Sequence, residues 1–211
     1  MNNQILIDKF PRFLYYYNVN RIPVVFGDLG AIKISAEITE ILITKEEIDS
    51  KVAELGRMIT RDYKGKSLLC VGILKGAFIF LADLIRKLNL PDMSVDFMAV
   101  SSYGAATHTS GVVQIIKDLN QSVTGRHVLI VEDIVDSGLT LKYLLENIRS
   151  RQPASVKVCT LVDKPARRKV EIEPDYNGFQ IDDRFIVGYG LDYNEQFRQL
   201  PYIGVLRVKD N

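Results

Sequence analysis

A chain of 211 residues, 47% hydrophobic and 25% charged, is long enough for one domain with a full core and too ordinary in composition for global disorder. A formal net charge of +1 gives no electrostatic case for a nucleic-acid partner, while leaving local loops free to bind small anions. No apolar run reaches the length of a membrane span, Asp8, Lys9 and Arg12 interrupt any signal-peptide core, and Cys70 and Cys159 sit singly in apolar runs. The expectation is a cytoplasmic protein with two buried thiols and no membrane or nucleic-acid partner.

In chain order, residues 1–36 carry apolar patches (Phe13 to Tyr17, Ile22 to Phe26) broken by Pro11, Pro23, Gly27 and Gly30. A covering arm, a subunit-contact segment and a partly disordered extension all remain open for them. Thr44 followed by Glu47 is a capping box, and Ile48, Val52, Leu55 and Ile59 fall on one face of the helix it starts. Residues 68–74 read as the first buried strand, with Lys75 and Gly76 at its carboxyl end. Ligands of open α/β sheets collect at that edge, where a lysine and a glycine present a cation and an unobstructed N–H to a diphosphate. On residue type alone, Lys75 is a solvated surface lysine. A second helix is expected with Phe78, Leu81, Ala82, Ile85 and Leu88 on its apolar face, then a strand over 95–100. The polar stretch from Ser101 to Gly111 has the composition of a lid, within which His108 reads as exposed and non-catalytic; residues 112–116 return as a strand.

The most informative stretch is HVLIVEDIVDSGLTL, residues 127–141. A strand over 128–131 ends in Glu132 and Asp133, a loop of small and hydroxyl residues runs from Asp136 to Thr140, and an amphipathic helix covers 141–148. Backbone N–H groups of such a loop, with the hydroxyls of Ser137 and Thr140 and a helix N-terminus, can surround a phosphate monoester. The two acids have the wrong sign for phosphate, so their partners are sugar hydroxyls or a hard cation such as Mg²⁺. Together they suggest a sugar phosphate; the glycine-rich run and lysine of a P-loop and the Rossmann fingerprint are both missing. Residues 155–162 form another buried strand with Lys164 just beyond it, and Arg167, Arg168 and Lys169 read as a solvated face. Residues 179–181 and 185–187 look like short strands of a smaller flanking element, and 202–208 closes the chain as a strand.

The 127–141 stretch resembles the phosphoribosyl diphosphate signature of the type I phosphoribosyltransferases. Lys75 with Gly76, Ser102 with Tyr103, Lys164, Phe185 and the run VGYGLDYNEQFR from Val187 to Arg198 narrow the resemblance to the hypoxanthine-guanine phosphoribosyltransferase family in its bacterial form, over about Ile38 to Val208. The fold this implies is α/β: an open, mostly parallel sheet flanked by helices, with a small hood built from the terminal parts of residues 37–211 and residues 1–36 as an extension. The reaction it implies is transfer of the 5-phosphoribosyl group from phosphoribosyl diphosphate to N9 of hypoxanthine or guanine, with Mg²⁺ as cofactor.

The same resemblance assigns roles. Asp136 is the general base beside purine N7. Lys75 and Gly76 form the diphosphate loop, with a cis peptide in that dipeptide, and Ser102 and Tyr103 close over the reaction. Ser137, Gly138, Leu139 and Thr140 hold the 5-phosphate. Lys164 donates to the 6-oxo group, Phe185 stacks on the base and Ile186 offers backbone groups to its edge. Glu132 and Asp133 face the ribose and, with Asp192, hold the metal, while Arg198 reaches the diphosphate. Ser137 and Leu139 depart from threonine and lysine in some members, at positions that act largely through backbone. A homo-oligomer, dimer or tetramer, is the expected assembly. Two alternatives stand beside this reading: a phosphoribosyl-diphosphate-binding regulator of transcription or RNA on the same fold, and a transferase preferring xanthine.

Overall fold

A computed structural model describes residues 36–102 and 113–208. Among these, the elements run β1 (Ala36–Ile43), α1 (Lys45–Asp62), β2 (Leu68–Leu74), α2 (Phe78–Ile85), β3 (Met93–Ser102), β4 (Val113–Lys117), β5 (His127–Val135), α3 (Leu139–Arg149), β6 (Ser155–Asp163), β7 (Tyr176–Gln180), β8 (Ile186–Val187) and β9 (Ile203–Val208), with a 3₁₀ turn at Pro165–Arg167. Six strands form one sheet in the order β4-β3-β2-β5-β6-β7, parallel throughout except for the antiparallel edge strand β4. The fold class is therefore the open, mostly parallel α/β sheet expected from the resemblance. A second sheet, β1-β9-β8, is antiparallel and joins the beginning of the described chain to its end.

The sheet is buried on both faces, which is why its central strands are continuous apolar runs. Alternation sends Leu68, Cys70, Leu129, Val131, Cys159 and Leu161 to the face covered by α1 and α2. Leu69, Val71, Val128, Ile130 and Val158 go to the face covered by α3 through Leu141, Leu144, Leu145 and Ile148. Both cysteines are free and fully buried, and burial pushes the Cys70 thiol up to about 12. No helix among the described residues is long and apolar enough to cross a membrane.

Helix α1 follows its sequence signal closely: Thr44 caps the Glu47 N–H, Glu47 accepts from the Thr44 N–H at 2.8 Å, and Ile48, Val52, Leu55 and Ile59 are all buried. Helix α2 turns differently from expectation. Phe80, Leu81 and Leu84 enter the core while Phe78 stays 44% exposed, and the helix ends before Leu88. A segment apolar at every position but Asp83 gives little periodicity from which to choose a face, and packing against the sheet chose it. Strand β7 belongs to the main sheet, parallel to β6, and not to a flanking element. Strand β1 had no sequence signal strong enough to be read as a strand; its exposed Thr39, Glu40 and Ile41 break the alternation, and β9 supplies its pairing.

Candidate active site

The strand order reverses between β2 and β5: the chain passes from β2 to β3 on one side, then returns to place β5 on the other. Loops leaving the carboxyl ends of these two neighbours diverge, and the crevice between them is where open α/β sheets bind ligands. Lys75 and Gly76 leave β2, and the end of β5 with the loop 136–138 occupies the other side. Glu132 and Asp133 stand within β5, which runs on to Val135, and do not terminate it as the sequence suggested. Pairing of Glu132 with Thr160 and of Val135 with Asp163 on β6 carries the strand past its acids.

Asp133 and Gly76 fit together tightly. A Cβ at position 76 would lie 1.7 Å from Asp133 Oδ2, so any side chain there collides with the carboxylate. A cis peptide lies at Leu74–Lys75, one bond before the dipeptide to which the resemblance assigned it. The loop from 188 to 198 closes over the same place: a Cβ at Gly190 would sit 2.1 Å from the Gly76 carbonyl, and φ of +102° there is itself a glycine conformation. From this loop Glu195 pairs with the Lys75 ammonium at 2.9 Å. Arg198 donates to the Gly190 carbonyl at 2.7 Å and pairs with Asp192 at 2.8 Å, its Nε buried without a partner.

Burial drives the Glu132 carboxyl well above the usual carboxylate range, and the neighbouring Asp133 charge adds to it. Burial also pushes Asp133 up to about 6, reinforced by Asp192 and opposed by the Ile134 N–H bond and Arg198. Asp133 lies against the loop that carries Lys75, and the Arg198 charge acts on it from the 188–198 loop.

One strand further, Ser137 and Gly138 form the turn into α3. Gly138 has φ of +80° and is packed beneath Ile172, Val170 and Arg168, so the N-cap offers no side chain. A long bond from the Leu139 N–H to Ser137 Oγ at 3.4 Å touches the first turn, which Thr140 shares. The Ala77 N-cap of α2 likewise makes no side-chain bond. Both helices that start at the crevice thus lack side-chain caps, in contrast to α1, and their N-termini present positive potential to an anion.

Lys164, directly after β6, is buried, and its ammonium donates to the Arg184 carbonyl at 2.5 Å. Burial lowers its pKa, while the charges of Asp136 and Asp183 hold it up. Asp136 pairs with Arg167 Nε at 3.1 Å. Phe185 is 51% exposed, with its edge against Tyr193 at 5.6 Å between ring centres, and its carbonyl accepts from the Leu206 N–H at 2.9 Å. Ile186 is buried in β8. The backbone of Ser102 ends β3; Tyr103 and His108 lie outside the described residues, as do residues 1–35 with their tyrosine cluster.

A model of the phosphoribosyl transferase domain matches residues 39–194. The chain is 54% identical over 171 residues to hypoxanthine-guanine phosphoribosyltransferase of Bacillus subtilis, covering 81% of this chain and 94% of that one. The chain belongs to the hypoxanthine-guanine phosphoribosyltransferase family. It is equally similar, at 54% over 171 residues and 81% of its length, to the bifunctional protein TilS/HprT of Listeria monocytogenes, of whose length it spans 26%. A crystal structure of a hypoxanthine phosphoribosyltransferase from Staphylococcus aureus superposes with a TM-score of 0.78 at 51% identity, over 81% of this chain and 92% of that one.

The family implies a metal, and the acids test whether one fits. Among the described residues no group of three His, Cys, Asp or Glu side chains converges into a protein-only cage. The donors nevertheless suit a hard cation that completes its shell with substrate and water oxygens: buried Glu132 and half-buried Asp133, both driven toward protonation, with Asp133 beside the Gly76 backbone.

Sequence reasoning also missed residues here. Arg167 and Lys169 are exposed, as a solvated face requires, but Arg168 is half-buried: it pairs with buried Asp163 and donates to the Asp136 carbonyl at 2.9 Å. The Lys169 N–H donates to the Ser137 carbonyl at 2.9 Å. A basic triplet after a strand carries no sign of its partners, which come from loops up to 32 residues away. Glu195 left no signal either, whereas the alternating glycines at 188 and 190 marked a turn too tight for side chains.

Proposed function

We propose that this chain transfers the 5-phosphoribosyl group from phosphoribosyl diphosphate to N9 of hypoxanthine or guanine, in purine salvage. The observation that carries the reading is the seating of Asp133 against Gly76, which sets this β5 acid and the Lys75 loop face to face across the switch point. In this reading the anomeric C–O bond breaks with its electron pair leaving on diphosphate, the N9 lone pair forms the new C–N bond, and the Asp136 carboxylate takes the proton from N7. Lys75, the Gly76 N–H and Arg198 stabilise the departing diphosphate, and for this Lys75 exchanges Glu195 for the ligand. Ser137, Gly138, Leu139 and Thr140 hold the 5-phosphate at the start of α3. Lys164 donates to the 6-oxo group in place of the Arg184 carbonyl; Phe185 stacks on the base, and Ile186 presents its backbone to the base edge. Ser102 and Tyr103 serve to exclude water from the reacting sugar. Glu132, Asp133 and Asp192 would contact Mg²⁺, which would supply positive charge to offset that of the departing diphosphate.

Purine bases, phosphoribosyl diphosphate and further copies of the chain are the partners in this reading. The exposed Ile116 on edge strand β4 is surface that a dimer or tetramer could cover, and the two free, buried thiols agree with a reducing, cytoplasmic setting. The test is diphosphate release with phosphoribosyl diphosphate, Mg²⁺ and hypoxanthine, guanine, xanthine, adenine, uracil or orotate offered singly. Release with the 6-oxopurines is expected. Release with adenine alone would refute the role of Lys164, and none with any base would favour a regulator that binds phosphoribosyl diphosphate.

A further inference from the structure

We infer that Arg167 is a positioning residue for the reaction: it fixes the Asp136 carboxylate and ties it to the loop that carries the base-stacking Phe185. The inference rests on the reading of Asp136 as the general base. Arg167 ends the 3₁₀ turn that follows Lys164, and its guanidinium spans two elements. Nε bonds Asp136 Oδ1 at 3.1 Å, and Nη1 bonds Asp183 Oδ2 at 3.2 Å, two residues before Phe185. The next residue holds the backbone of the same loop, since Arg168 donates to the Asp136 carbonyl at 2.9 Å. Asp136 is thus restrained at its main chain by one arginine and at its side chain by the other.

A carboxylate with one oxygen on a guanidinium loses rotation about its terminal torsion and keeps the other oxygen for a proton. A base must have this geometry before its proton affinity matters. Stability is not the reason for the contact. Arg167, Asp136 and Asp183 side chains are 51%, 43% and 53% exposed, and exposed pairs of this kind contribute little to folding. The planar fork is what allows one cation to bridge two carboxylates from different loops; an ammonium on a flexible stem satisfies one of them well.

The test is steady-state kinetics and thermal unfolding of the full chain as wild type, Arg167→Ala, Arg167→Lys, Asp136→Asn and the Arg167→Ala/Asp136→Asn double variant. Arg167→Ala is expected to lower kcat about tenfold, part of the ~10²–10⁴ a positioned base supplies, with KM for phosphoribosyl diphosphate and Tm unchanged. Arg167→Lys should fall between the two. In the Asp136→Asn background, removing Arg167 should cost nothing further, because a residue acting through its partner is not additive with it. Wild-type kcat in Arg167→Ala would overturn the inference, as would the same tenfold loss in the Asp136→Asn background. Full turnover in Asp136→Asn itself would overturn the base assignment, a distinct failure visible in the single variant.

Discussion

At the residue scale, a glycine in the turn after β2 and an aspartate within β5 define the crevice. Position 76 accepts no side chain because the Asp133 carboxylate already fills the space a Cβ would need. Gly76→Ala must displace either that carboxylate or the loop that carries Lys75, and in the proposed reaction each meets phosphoribosyl diphosphate or its metal. We expect kcat/KM for phosphoribosyl diphosphate to fall about a hundredfold, as a misplacement of about 1 Å in a site can cause, with the base KM changed much less. A change confined to the base KM would show that this loop does not meet the diphosphate. Gly76 was conspicuous in the sequence for its place after a buried strand, but the reason it must be glycine lies 57 residues away in Asp133, beyond the reach of any local pattern.

At the element scale, the helices divide by what caps them. Helix α1 starts with a complete Thr44 and Glu47 box, whereas α2 and α3, which begin at the switch point, have Ala77 and Gly138 as N-caps without side-chain bonds. A cap satisfies N–H groups that would otherwise remain for a ligand; α1 carries one, and the two helices that begin at the switch point do not. Thr44→Ala should destabilise the protein by ~1 kcal/mol, lowering Tm by about 3 °C, and leave kcat unchanged. An activity loss beyond the stability loss would place α1 closer to the chemistry than its position implies. The capping box, the face of α1 and the buried strands were legible because they are local. The face of α2 was not, and neither was the membership of β7 in the main sheet: both were set by neighbours distant in sequence.

At the scale of the whole molecule, folding places carboxyls where water cannot screen them, and this makes stability depend on pH. Asp133 rises from an ordinary 3.8 to about 6 in the folded, metal-free protein, so the folded state binds its proton more tightly than the unfolded chain. The favourable contribution is complete below about pH 4 and is lost as pH rises through 6, worth at most ~3 kcal/mol. Glu132 acts in the same direction. Chemical denaturation in EDTA should show Asp133→Asn more stable than wild type at pH 7 and nearly equal at pH 4. Equal stability at both values would mean that Asp133 is not raised.

The sequence by itself determined the buried parallel strands, the capped helix and the residue types at each strand's carboxyl edge, since hydrophobic periodicity, capping and turn chemistry are properties of a few consecutive residues. The tertiary structure decided which of those edges became neighbours. It seated Asp133 on Gly76, brought Glu195 to Lys75, and turned a basic triplet into the clamp on Asp136. Those contacts join residues 31 to 120 positions apart, and close approach between such distant points is governed by strand order and chain packing, which no local pattern encodes.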